Sequence, residues 1–95
     1  MYITIAGANY YRGIEALKVG QVLVLKKDPD NIYDDESILV QSESGVKYGY
    51  VANSVHTVAR GTHSAGFIYD SFEQKTKCRI LFICGEKAIA ELLTE

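Results

Sequence analysis

Apolar and polar residues alternate along most of this chain, and the alternation predicts strands. In residues 2–7, Ile3 and Ile5 share one face while Tyr2 and Thr4 share the other. Residues 21–27 form a second run, with Val22 and Val24 on one side. Residues 37–42 form a third, with Ile38 and Val40 facing one way, and Ser42-Glu43-Ser44-Gly45 follows as a hairpin turn in which Gly45 supplies positive φ. Residues 46–51 return as the antiparallel partner. Residues 67–72 and 77–84 read as two further strands, joined around Glu73-Gln74-Lys75-Thr76. Val22, Val24, Ile38, Val40, Ile80 and Phe82 are the expected core.

Helical spacing is confined to short stretches. Residues 14–18 fit a single helical turn ended by Gly20. Asn53 is placed to N-cap a helix over residues 54–60, where Val55, Val58 and Ala59 fall at i, i+3 and i+4 and Gly61 fits the C′ position. Gly85 breaks the last strand, and residues 86–93 read as a short amphipathic helix with Ile89, Leu92 and Leu93 inward. The predicted order is β, β, β, β, α, β, β, α. That is an all-β fold with two short helices, a small OB-like antiparallel β-barrel, because closure removes exposed sheet edges. A chain of 95 residues makes one domain, residues 1–95.

Charge narrows the function. Ten Lys and Arg against twelve Asp and Glu give a net charge of −2, which excludes a polybasic binder that holds many phosphates by charge alone. A nucleic-acid role must use a local patch, stacking or recognition of an end. Seven Tyr in so short a chain supply the rings for stacking. Cys78 and Cys84 are expected on one face of one strand, ~20 Å apart at ~3.3 Å per residue, too far for a disulfide. Two reduced thiols point to an intracellular protein. No apolar run is long enough to span a bilayer, so no membrane partner is expected. The first residues read as a strand rather than a signal peptide, and the expected location is the cytoplasm.

Two loops carry candidate chemistry. Residues 28–36, Asp-Pro-Asp-Asn-Ile-Tyr-Asp-Asp-Glu, hold the single proline and most turn-forming residues. One reading is a structural turn in which Asp side chains cap free N–H groups. The other sets Tyr33 and Asp34 at a barrel rim, where a ring stacks on a planar ligand and a carboxylate accepts from a hydroxyl. In Asn9-Tyr10-Tyr11-Arg12, adjacent tyrosines in extended chain point opposite ways, so one is exposed. An exposed Tyr beside Arg12 suits a stacked base with a phosphate contact.

Taken together, Tyr10-Tyr11-Arg12-Gly13, the stretch from Gly20 to Asp34 with its Asp28-Pro29-Asp30-Asn31-Ile32-Tyr33-Asp34 end, Ser37-Ile38-Leu39-Val40 and Gly49-Tyr50-Val51 resemble the HIRAN domain. The resemblance covers residues 2 to about 61. The family occurs at the N-terminus of eukaryotic fork-remodelling helicase-like ATPases, a DNA-repair setting, and as small bacterial proteins. The resemblance implies an OB-like barrel that binds single-stranded DNA and captures its free 3′ end without catalysis or cofactor. It implies that the tyrosine pair falls on Tyr10 and Tyr11 beside Arg12, the Tyr-Asp pair on Tyr33 and Asp34, the basic residue before the acidic loop on Lys27, and the position after the glycine on Tyr50. The later stacking aromatic falls among Phe67, Tyr69 and Phe72, with Phe72 taken as the site residue. Ile32 stands where the family usually has proline. Asn9 and Asn53 stand where DNA-binding members carry basic residues.

Three rival readings share these residues. His56, His63, Cys78 and Cys84 offer four zinc ligands, but their spacing lacks a tight Cys-x2-Cys knuckle, and no metal is expected. The acidic loop with Asp28, Asp30, Asp34 and Asp35 suits a divalent ion in an accessory domain for phosphodiester hydrolysis, but no P-loop, HExxH or nucleophile elbow accompanies it, so the chain is not read as an enzyme. A peptide-binding adaptor using the same aromatic groove, with a protein partner, is the third.

Overall fold

The computed structural model describes residues 1–93 of the chain. Six antiparallel strands close into a barrel: β1 (Tyr2–Ala6), β2 (Val22–Lys27), β3 (Ile38–Gln41), β4 (Lys47–Val51), β5 (Lys75–Cys84) and β6 (Lys87–Leu93). Their order around the barrel is β1-β4-β3-β2-β5-β6, and β6 pairs back onto β1. One short helix, α1 (Ala65–Ile68), and 3-10 turns at Ala8–Tyr10, Ile14–Ala16 and Tyr69–Ser71 complete the fold. The expected antiparallel barrel is present, but both expected helices are misplaced.

The interior is filled from alternate strand positions, as a closed sheet requires. Ile3 and Ile5, Leu23 and Leu25, Ile38 and Val40, Cys78 and Ile80, and Ala88, Ala90 and Leu92 form one buried cluster with Leu17, Val51, Ala65 and Ile68. Of the six expected core residues, Ile38, Val40 and Ile80 are in it. On β2 the expected parity is inverted. Leu23 and Leu25 point inward, Val22 is 42% exposed, and Val24 is buried outside the central cluster. Four consecutive apolar residues, Val-Leu-Val-Leu, do not declare which pair faces in; the branched pair went outward here.

Phe82 is corrected as well, and with it the thiols. Ile80 opposes Ala90 while Phe82 opposes Ile89, so Leu81 is an extra residue in β5. A bulge of this kind flips every side chain beyond it. Phe82 is 54% exposed, and Cys84 lies exposed on the face opposite buried Cys78. Both cysteines are free, and burial pushes the Cys78 thiol up to about 12.

Residues 54–60 form turns rather than a helix. Ser54 Oγ accepts from His56 N at 3.1 Å, and Ala59 N donates to Thr4 Oγ1 at 3.1 Å instead of continuing a helical ladder. Thr4 itself is fully buried, and its hydroxyl also bonds Thr62 Oγ1 at 2.8 Å. Asn53 does not cap residues 54–60. The helix starts one segment later, where Ser64 Oγ accepts from Phe67 N at 3.2 Å. Residues 67–72, expected as a strand, are therefore the end of α1 and a 3-10 turn that send Ile68 into the core. Residues 86–93, expected as a helix, are β6. Gly85, at φ +63°, takes the first of two turn positions between Cys84 and Lys87, where glycine is needed. Ala88, Ala90 and Leu92 then alternate inward.

Candidate functional site

The acidic loop between β2 and β3 is a set of interlocking side-chain turns. Asn31 Oδ1 accepts from Tyr33 N at 2.9 Å and Asp34 N at 3.2 Å, and Asn31 N donates to Asp28 O at 3.2 Å. Asp34 Oδ1 in turn accepts from Glu36 N at 2.9 Å. This is the capping turn that the residue types favour. The same bonds fix Tyr33 with its ring in solvent, 91% exposed, beside the half-buried Asp34 carboxylate. Asp34 Oδ2 accepts from Asn53 Nδ2 at 2.9 Å, and Asn53 Oδ1 accepts from Gly66 N at 2.8 Å. Asn53 thus ties the acidic loop to the start of α1.

The tyrosine pair leaves β1 through Gly7, whose φ of +74° turns the chain into the 3-10 turn at Ala8–Tyr10. A side chain on Gly7 would meet the rings of Tyr10 and Tyr50 at 3.6 and 3.9 Å, so these two rings straddle the glycine. Tyr10 is 88% exposed and Tyr11 half-buried. Tyr11 donates its hydroxyl to Tyr50 Oη at 2.9 Å, with ring centroids 6.0 Å apart. Burial first, then the bond and repulsion shared with Tyr50, and then Asp28 push the Tyr11 phenol up to about 12. Tyr11 therefore stays a neutral donor, and the Tyr50 hydroxyl keeps its own hydrogen for another acceptor.

Tyr10, Tyr11, Asn31, Tyr33, Asp34, Ser37 and Tyr50 surround one groove of about 580 Å³. Five of the eight expected site residues lie in it. Arg12 lies beside it, lining an adjoining groove with Tyr11, Lys47 and the Ser44–Val46 turn. Lys27 and Phe72 do not join them. Lys27 Nζ sits 4.4 Å from the Tyr69 ring centroid and 5.0 Å from that of Phe72, and Phe72 faces a separate groove with Val24, Lys75 and Lys77. Phe67, 64% exposed, stacks on His63 at 4.3 Å and shares a groove with Asn53. Asn31, Ser37, Asn53 and Lys47 were not singled out as site residues. Asn31, two residues ahead of the Tyr-Asp pair, carried the one readable signal, that of an Asx turn.

Among the described residues no group of three or more His, Cys, Asp or Glu is gathered closely enough to hold a metal ion. No helix among them is long and apolar enough to cross a membrane.

A family model described as the HIRAN domain matches residues 1–79. No curated protein matches the chain. Among solved structures, the crystal structure of a protein from Lactobacillus plantarum is similar with a TM-score of 0.66 at 20% identity, covering 96% of this chain and 87% of that one. The crystal structure of the HIRAN domain of human HLTF is similar with a TM-score of 0.64 at 18% identity, covering 97% and 73%. At these identities the two structures speak for the fold.

Proposed function

The chain belongs to the HIRAN domain family, a DNA-binding module, and on that footing we propose that it binds single-stranded DNA and seats the strand's free 3′-hydroxyl end in the tyrosine groove, without catalysis. The observation that carries this reading is the gathering of four tyrosines and Asp34 around one groove. Exposed Tyr10 and Tyr33 offer ring faces to a base, a contact worth ~1–3 kcal/mol and tolerant of sequence. Each Asp34 oxygen holds one intramolecular bond. An ionised carboxylate has about four acceptor sites, so capacity remains for a hydroxyl. A sugar hydroxyl donates to it in a charge-assisted bond. A terminal phosphate brings negative charge against the same oxygens and is repelled.

The rest of the strand leaves past the Tyr50 hydroxyl, which donates to a phosphate or base oxygen, and along Arg12 and Lys47. Two cations neutralise few phosphates, so the salt dependence of this contact is shallow. Phe67, next to the Asp34–Asn53 bridge, is placed better than Phe72 to take a further base.

The test is fluorescence anisotropy with a short labelled oligonucleotide ending in 3′-hydroxyl or 3′-phosphate, for wild type and Asp34→Ala. Tighter binding of the hydroxyl end, with the preference erased in Asp34→Ala, supports the reading. Equal affinity of wild type for both ends removes end recognition.

A further inference from the structure

The chain is acidic overall, but its cations are not evenly spread. Lys75, Lys77 and Arg79 alternate on β5, all exposed, so their side chains share the outer face of the barrel. Register brings a fourth to the same face: exposed Lys26 on β2 lies directly opposite Lys75. Four of the ten Lys and Arg therefore share the outer face of two adjacent strands. Among the described residues, carboxylates reach this face at two places. Glu43 meets Lys77 Nζ at 3.1 Å, an exposed pair of little strength, and Glu91 lies opposite Arg79 on β6.

Two features mark the arrangement as more than solvated surface. Like charges directly opposite one another on paired strands are destabilising, and Lys26 and Lys75 are such a pair. Outward lysines commonly guard a sheet edge against pairing with other chains, but β2 and β5 are neighbours inside a closed barrel and have no edge to guard. Along β5 the cations repeat every second residue, about 6.6 Å apart along the strand. Beside them lies a groove of about 530 Å³, lined by Ser71, Phe72, Lys75, Thr76 and Lys77.

We propose that the outer face of β2 and β5, through Lys26, Lys75, Lys77 and Arg79, is a second contact for the sugar-phosphate backbone of nucleic acid, independent of any strand end. The occupant is a polyanion with regularly spaced phosphates. The face does not depend on Asp34 or on the tyrosine groove, so it stands apart from end capture.

A circular single-stranded oligonucleotide, which has no terminus, is the discriminating probe. Its affinity is measured at 0.05–0.3 M salt, on the order of the range over which counterion release is read, for wild type, the triple variant Lys75→Gln/Lys77→Gln/Arg79→Gln, and Asp34→Ala. All three substituted cations are exposed, and an unchanged urea midpoint for the triple variant confirms an intact fold. The circle binds wild type and Asp34→Ala alike. The triple variant loses at least about tenfold in affinity near 0.1 M salt, and its log–log salt slope falls by about 2, from ~0.7 per phosphate contact. Undiminished binding of the circle by the triple variant, no binding of the circle by wild type at the lowest salt, or equal binding of polyglutamate at matched charge would each overturn the proposal. Loss of the 3′-hydroxyl preference would instead strike the end-capture reading alone.

Discussion

The tyrosine groove and the β2–β5 wall are built by opposite means. The groove sits on loops and is held by side chains: Asn31 pins Tyr33 and Asp34, Asn53 braces the carboxylate, and Tyr11 leans on Tyr50. Its chemistry is aromatic and acidic. The wall is held by strand register alone, and its chemistry is basic. A carboxylate poised for one hydroxyl would be wasted among lysines, which would claim it as an ion pair. Polyphosphate attraction would in turn be cancelled beside Asp28, Asp30, Asp34, Asp35 and Glu36. On the proposed reading, separating the two on one small barrel would let a net-acidic protein carry both.

The largest expected effect is on the frame that carries the groove. A methyl on Gly49 would lie 2.6 Å from the Ala6 carbonyl oxygen and 3.5 Å from Ala8 N. Gly49→Ala therefore forces β4 away from β1 and from the turn that carries Tyr10, costing about 1–3 kcal/mol in urea unfolding and weakening the groove with it. Tyr33→Ala sharpens the contrast. Its ring touches solvent, so the unfolding midpoint holds, while oligonucleotide binding in the groove weakens by ~1–3 kcal/mol and circle binding on the wall does not. Asn31→Ala is intermediate. It strips the acceptor from two backbone N–H groups, costs about 1 kcal/mol of stability, and loosens Tyr33 and Asp34 without touching β5; anisotropy with the linear and circular strands reads both outcomes.

Alternation was enough to find the strands where each has one clean apolar face, as in Ile3/Ile5 and Ile38/Val40. It was insufficient on β2, where four apolar residues in a row hide the inward pair, and on β5, where one extra residue turns Phe82 and Cys84 outward. Residues 86–93 read as a helix because Ile89, Leu92 and Leu93 fall at i, i+3 and i+4, while two of the three inward positions of β6, Ala88 and Ala90, are small residues that helices also favour. The tyrosines and Asp34 were legible as a set through the family resemblance. Asn53 was not, because a side chain that bridges two distant loops leaves no local pattern: Asp34 is nineteen residues away. Lys27 directly precedes the acidic loop in sequence, but its ammonium is turned toward the Tyr69 and Phe72 rings, away from the groove.

The smallest effect is on pH. The Tyr11 phenol has its pKa raised from 10.0 to about 12, chiefly by burial. A group that holds its proton more tightly when folded adds stability that is whole below the unfolded value and drains away as pH rises through the folded one. Stability should therefore fall between pH 10.0 and about 12, and Tyr11→Phe should flatten that part of the profile. Phenolate absorbance should show one tyrosine titrating late.

The most direct measurement is a map of backbone amide shifts by nuclear magnetic resonance on adding a trinucleotide with a free 3′-hydroxyl. The largest shifts should fall on Tyr10, Tyr11, Tyr33, Asp34 and Tyr50, with Asn53 following through its bond to Asp34. Shifts concentrated on Lys75, Lys77 and Arg79, with the tyrosine loops silent, would contradict the assignment of the groove to the end of the strand.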